Sequence, residues 1–239
     1  DDGQERFIVE TADVSGLPED WVWPESVKMK ASDGKTDIYG VLFRPAGFDP
    51  EQSYPVIELS SSVRMARYLP VGSFRNASLF GDYAYLFGQV YAAAGFIVVM
   101  IDGRGATGRE KSFMTHRYGD PAYINDFSDR IAGMKQLAKR YPYMDITRVG
   151  LIADENPQHA AVYALLLHSD FYKAAVLTCV HDSRFLNAEF VEMTEGPYHE
   201  TEQPKTPWPE DCVESFDGKL LLIQGVGQNS MPATAYRLA

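Results

Sequence analysis

Cysteine, histidine, positive charge and long apolar runs are all scarce in this chain of 239 residues. The two cysteines, Cys179 and Cys212, make neither a thiolate metal cluster nor a disulfide scaffold, and whether they pair stays open at this level. The five histidines are scattered without His-x-x-x-His or similar ligand spacing, so neither a metal nor a cofactor is expected. With 22 basic against 33 acidic residues the formal charge is −11, which argues against nucleic acid or an anionic membrane as a partner. The longest apolar stretch, around Tyr91 to Ile101, is interrupted by Gly95 and too short to span a bilayer. The opening Asp1-Asp2-Gly3-Gln4-Glu5-Arg6 is charged and is not a signal peptide. What is present, 45% hydrophobic and 23% charged residues, suffices for one large core in a soluble globular domain.

Strand and helix signals alternate along the chain. Val27 to Lys30 and Ile38 to Phe43 are short β-like runs around the turn Ser32-Asp33-Gly34, a hairpin pattern. Pro55-Val56-Ile57-Glu58-Leu59 reads as a strand. Tyr83, Leu86, Phe87, Val90, Tyr91 and Ala94 recur at helical spacing, and Gly95 is a suitable stop. Phe96 to Ile101 is continuously apolar and β-branched, as in a strand buried on both faces. Phe127, Ile131, Met134, Ala138 and Tyr141 form one stripe of a helix ending before Pro142. Strands at Arg148–Ala153, Ala174–Val180 and Leu220–Gln224 follow, with a helix from Pro157 to Leu167. Helices between buried apolar strands imply an α/β domain whose mostly parallel sheet is covered on both faces. Residues from about Asn187 to Asp217 are polar, Pro-rich and weakly periodic, and read as a long surface loop or excursion.

The turn between the Arg148 strand and its helix holds Ala153-Asp154-Glu155-Asn156-Pro157. A strand feeding a helix through a sharp turn is the frame that holds the nucleophile in α/β-hydrolases, where the turn reads Gly-x-Ser-x-Gly. Here the apex residue is Glu155. A strained apex costs about 1–3 kcal/mol, and a bulky Glu without the following glycine makes it harder to hold. Pro157 biases Asn156 away from the helical region and suits the first helical position. One reading is therefore a relaxed turn in which Asp154 or Asn156 caps the helix. The other is a carboxylate nucleophile at Glu155.

The order of these pieces and several local runs resemble the catalytic domain of the prolyl oligopeptidase family, in its dipeptidyl peptidase IV-like branch. The runs are Asp37 through Pro45, Tyr54-Pro55-Val56-Ile57, Gly95 to Gly108 with Ile101-Asp102-Gly103-Arg104-Gly105, Asp126 through Pro142, and His168 through Val176. The resemblance implies an α/β-hydrolase fold at residues 23–239, lacking the family's final strand and helix. Residues 1–22 would be the lead-in from an upstream β-propeller, in a longer protein of which this is a domain. The Leu220–Gln224 strand would then be an exposed apolar edge.

Carried over position by position, the family's serine falls on Glu155 and its triad aspartate on Gln228. In Gln224-Gly225-Val226-Gly227-Gln228, Gln224 takes the place of the preceding histidine. A glutamine cannot hold a histidine as a charged partner. The oxyanion-stabilising tyrosine falls on Ser61, and Val63-Arg64 replaces the Gly-Pro that usually follows. The triad histidine belongs to a stretch beyond Ala239. Arg184 lies in the loop that borders the substrate pocket in the family. The expectation is a catalytically degenerate domain with a binding or structural role, its pocket rimmed by Ser61, Glu155, Arg184 and Gln228 and open to a peptide. The rival expectation is an active hydrolase, either serine-type or using Glu155. A purely interactive role, facing a propeller or a second protomer of a homodimer, is the third. The sequence names no compartment; exported bacterial members of the branch lean the expectation toward the periplasm or outside.

Other residues invite less. Cys179 near a strand end reads as packing rather than a nucleophile. His159 reads as an ordinary polar residue at a helix start, and Ser60-Ser61-Ser62 lacks an identifiable base. Arg104 reads as structural, satisfying loop carbonyls or a carboxylate. Asp154, Glu155, Glu189 and Glu192 could line an acidic cavity, but nothing fixes metal-ligand geometry.

Overall fold

The computed structural model describes residues 7–8, 10–11, 13–60, 69, 82–117, 124–153, 158–178 and 209–225. Among the described residues, seven strands form one sheet in the order β1-β2-β4-β3-β5-β6-β7. They are β1 (Glu25–Lys30), β2 (Asp37–Phe43), β3 (Tyr54–Ser60), β4 (Ile97–Asp102), β5 (Met144–Ala153), β6 (Tyr172–Thr178) and β7 (Lys219–Ile223). β1, β2 and β4 pair antiparallel, and every pairing from β4 through β3 to β7 is parallel. The helices are α1 (Asp82–Ala93), the single turn α2 (Lys111–Met114), α3 (Ile124–Arg140) and α4 (Gln158–Leu167). Short 3-10 turns follow at Thr115–Arg117 and Pro209–Ser215.

The expected hairpin is present, and its chemistry is local. Gly34 takes φ +68°, which lets its N–H reach Ala31 O at 2.9 Å. Asp33 Oδ1 accepts the N–H groups of Lys35 and Thr36, each at 2.8 Å. In β4, residues Ile97 through Ile101 are buried on both faces. Ile97, Val99 and Ile101 join the larger core with Phe127, Met134 and Leu137 of α3, while Val98 and Met100 join a second core with Phe43 and Ala92. Strand β4 is thus the partition between two hydrophobic layers. Helix α4 is buried from Ala160 through Leu166, as its all-round apolar sequence requires.

Several expectations are refined. β5 begins at Met144 rather than Arg148, because the polar Asp145-Ile146-Thr147 forms a register break: Pro55 pairs with Asp145 and Val56 already with Val149. Asp145 holds the break, accepting from Thr147 N at 3.0 Å and Arg148 Nε at 2.6 Å. Helix α1 puts only part of its bulky stripe on the core: Phe87 and Tyr91 pack against the second core, but Leu86 and Val90 do not. Its sheet side carries Ala92 and Gly88, where an added Cβ would lie 2.7 Å from the Phe43 ring, while Leu86 and Val90 are 56% and 52% exposed. The polar stretch near Asp217 is not all surface either, since Cys212 and Phe216 pack against the main core. β7 ends the sheet, with Leu221 and Ile223 55% and 51% exposed.

Candidate functional site

In an open parallel sheet, side chains that act on ligands collect beyond the carboxyl ends of the strands, where the winding direction reverses. The reversal here is at β3, which has β4 on one side and β5 on the other. Ser60, the last residue of β3, pairs in register with Ala153, the last of β5. Ala153 also pairs with Leu177, and Thr178 pairs with Ile223 at the ends of β6 and β7. Ser61 follows the first of these ends by one residue, Glu155 the second by two, Arg184 the third by six, and Gln228 the fourth by five. Four strand ends from which the predicted positions depart are therefore neighbours. Ser61, Glu155, Arg184 and Gln228 themselves lie outside the described residues, as do Cys179, Asp154, Asn156, Glu189 and Glu192. His159 is the second residue of α4. Gln224 directly follows β7, and both polar atoms of its amide are buried with no hydrogen-bond partner among the described residues.

A charged cluster joins the loop after β4 to α3 and the β1–β2 turn. Arg104 donates from Nε and Nη2 to the two carboxylate oxygens of Asp129 at 2.8 and 2.7 Å, from Nη1 to Asp33 at 3.1 Å, and from Nη2 to Ser32 Oγ at 2.9 Å. Its expected structural role fits this geometry. Burial pushes the Asp129 carboxyl up, but the hydrogen bonds from Arg104 and Ser32 outweigh that and hold it below the usual range.

Sequence reasoning missed a second cluster. Glu58 sits mid-strand in β3, fully buried, and accepts from Arg130 Nη1 at 3.0 Å and from the Tyr172 hydroxyl at 2.5 Å. Arg130 also donates to Ser60 Oγ at 2.6 Å and to Asp126 at 2.5 Å. The available signal was an acid inside an otherwise apolar strand, which a parallel sheet tolerates only if a partner is supplied. A cavity of about 280 Å³ lies one strand further out, lined by Tyr39, Val41, Asp102, Thr107, Arg109 and Phe113. Among the described residues no three His, Cys, Asp or Glu side chains gather as metal ligands, and no helix is long and apolar enough to cross a membrane.

The model of the prolyl oligopeptidase family matches residues 85–225. The chain belongs to that family. Human dipeptidyl peptidase 8 is 26% identical over 179 residues, covering 72% of this chain and 18% of the relative. The chain thus spans about a fifth of that protein's length. Among solved structures, Porphyromonas gingivalis dipeptidyl peptidase 4 superposes with TM-score 0.72 at 19% identity, over 90% of this chain and 29% of that one. Pyrococcus horikoshii acylaminoacyl peptidase gives TM-score 0.66 at 19% identity, over 84% and 31%. These likenesses establish the α/β-hydrolase fold of the peptidases.

Proposed function

We propose that this domain is a catalytically degenerate member of its family that binds peptides at the carboxyl ends of β3, β5, β6 and β7 without cleaving them. The observation that carries the reading is the register of those ends, Ser60 with Ala153 and Thr178 with Ile223, because the chain leaves them toward Ser61, Glu155, Arg184 and Gln228. A carboxylate at 155 and an amide at 228 retain hydrogen-bonding capacity but lack the hydroxyl and the carboxylate of a serine triad. Arg184 supplies a charge that suits a peptide carboxylate or carbonyl. The peptide class follows from the similarity to dipeptidyl peptidase 8. A β-propeller upstream and a second protomer complete the proposed setting in the whole protein.

The test uses the full chain with a fluorophosphonate probe, a dipeptide-based chromogenic substrate and a fluorescein-labelled tripeptide with a free amino terminus. No labelling, no turnover and saturable tripeptide binding weakened by Arg184→Ala are expected. Labelled serine with turnover overturns the degenerate reading. Turnover without labelling, abolished by Glu155→Gln, identifies a carboxylate hydrolase instead.

A further inference from the structure

Glu58 is a carboxyl group placed where the sheet offers only apolar neighbours. Its flanking partners in register are Val99 of β4 and Leu151 of β5, both buried. The polar groups that act on it come from two elements: Arg130 and Asp126 of α3, and Tyr172 of β6. Asp126 is itself pressed against the loop leaving β4, so closely that a Cβ at Gly103 would sit 2.0 Å from its Oδ1. Arg130 lies over the Phe127 ring at 4.6 Å, and its Nε is buried without a hydrogen-bond acceptor.

The count of charges is uneven: two carboxyl groups share one guanidinium in a dry site. Protonating Glu58 removes one negative charge from the cluster. Arg130 Nη1 serves two acceptors, Glu58 Oε1 at 3.0 Å and Ser60 Oγ at 2.6 Å. Arg130 is charged in either case, so ionising Glu58 adds an attraction between opposite charges in a low-dielectric site and draws Nη1 toward Oε1. Nη1 has an N–H for each acceptor, so the pull toward Glu58 lengthens the bond to Ser60 Oγ, and Ser60 is the residue that ends β3 beside Ala153.

We propose that Glu58 is a buried proton switch: by gaining or losing one proton it decides whether Arg130 ties down Ser60 at the carboxyl end of β3. The neutral form holds the strand end closed onto α3; the ionised form draws the guanidinium inward and loosens it. Burial raises the Glu58 carboxyl against the pull of Arg130 and Tyr172, so the loosening occurs above the ordinary carboxyl range. The sign follows from linkage. A carboxyl raised on folding adds stability below its unfolded value of 4.5, and that stability is lost as pH rises through the folded value. The device stands whether or not the neighbouring site binds a peptide.

Two measurements on the full chain test it. Carboxyl carbon NMR should show one glutamate titrating above all others, absent in Glu58→Gln. Hydrogen exchange, corrected for intrinsic rate, should show protection at the ends of β3 and β5 falling by up to about tenfold per pH unit across that titration, and not in Glu58→Gln. Ordinary titration of every glutamate, or an unchanged pH dependence in Glu58→Gln, overturns the proposal. Should Glu58→Gln fail to fold, Tyr172→Phe removes one donor to the ionised form and should move the transition to higher pH; an unmoved transition overturns it equally.

Discussion

Arg104 and Asp129 meet in a two-pronged ion pair, Nε to Oδ2 at 2.8 Å and Nη2 to Oδ1 at 2.7 Å, with the Asp129 side chain fully buried. The same guanidinium reaches Asp33 and Ser32 in the β1–β2 turn. A single side chain in the loop after β4 thereby joins α3 to the hairpin. Arg104→Met leaves Asp129 buried without its partner, and a loss of about 3–5 kcal/mol is expected. Urea unfolding should show a lower midpoint at an unchanged slope. Arg104→Lys should not restore it, because a point-like ammonium cannot span both oxygens and the turn.

The acid limb of stability follows from the same pair. Asp129 has a folded-state pKa below its unfolded value of 3.8, as hydrogen bonds from Arg104 and Ser32 overcome the effect of burial. Asp33 is lowered too, through Thr36 and Lys35. A depressed carboxyl adds stability above its unfolded pKa, and this is lost as pH falls through the folded one. Thermal midpoints followed downward from neutral pH should drop steeply near pH 4 and below in the native sequence. Asp129→Asn should start lower at neutral pH and show a flatter acid limb.

Gly88 lets α1 lie directly on the Phe43 ring, since a Cβ there would meet three ring atoms at 2.7–2.9 Å. Gly88→Ala gains about 1 kcal/mol in helix propensity. Overpacking costs about 1–3 kcal/mol, and the fully buried Phe43 ring of β2 has little room to give, so net destabilisation is expected. Adding Phe43→Leu to Gly88→Ala should recover part of the loss, a coupling that a double-mutant cycle in denaturant measures.

Most strands were legible because each holds a short apolar run bounded by turn residues; the polar start of β5 was not. Ile97 to Ile101 could hardly be anything else, and Gly34 marked the hairpin at once. Helix α1 was legible as a helix but not in its rotation: it is apolar nearly all round, so its bulky residues dominate the spacing while contact geometry selects Gly88 and Ala92 for the sheet. The strand ends leading to Ser61, Glu155, Arg184 and Gln228 were readable from resemblance, and the register makes those ends neighbours. The Glu58–Arg130 link was not readable. Seventy-two residues separate its members, and nothing local in either segment names the other.

The rotation of α1 has its own test. Leu86 and Val90 stand one turn apart on the side away from the sheet and are more than half exposed, whereas Ala92 is buried in the second core. An apolar side chain that water already reaches surrenders little when replaced. Leu86→Lys and Val90→Lys should each change stability by no more than about 0.5 kcal/mol. Ala92→Leu, by contrast, must push three methylene-sized groups into a filled layer and should cost about 1–3 kcal/mol. Thermal unfolding of the three variants side by side decides it. A large loss at Leu86 with tolerance at Ala92 would turn the helix by about a third of a circle and bring Leu86 onto the core.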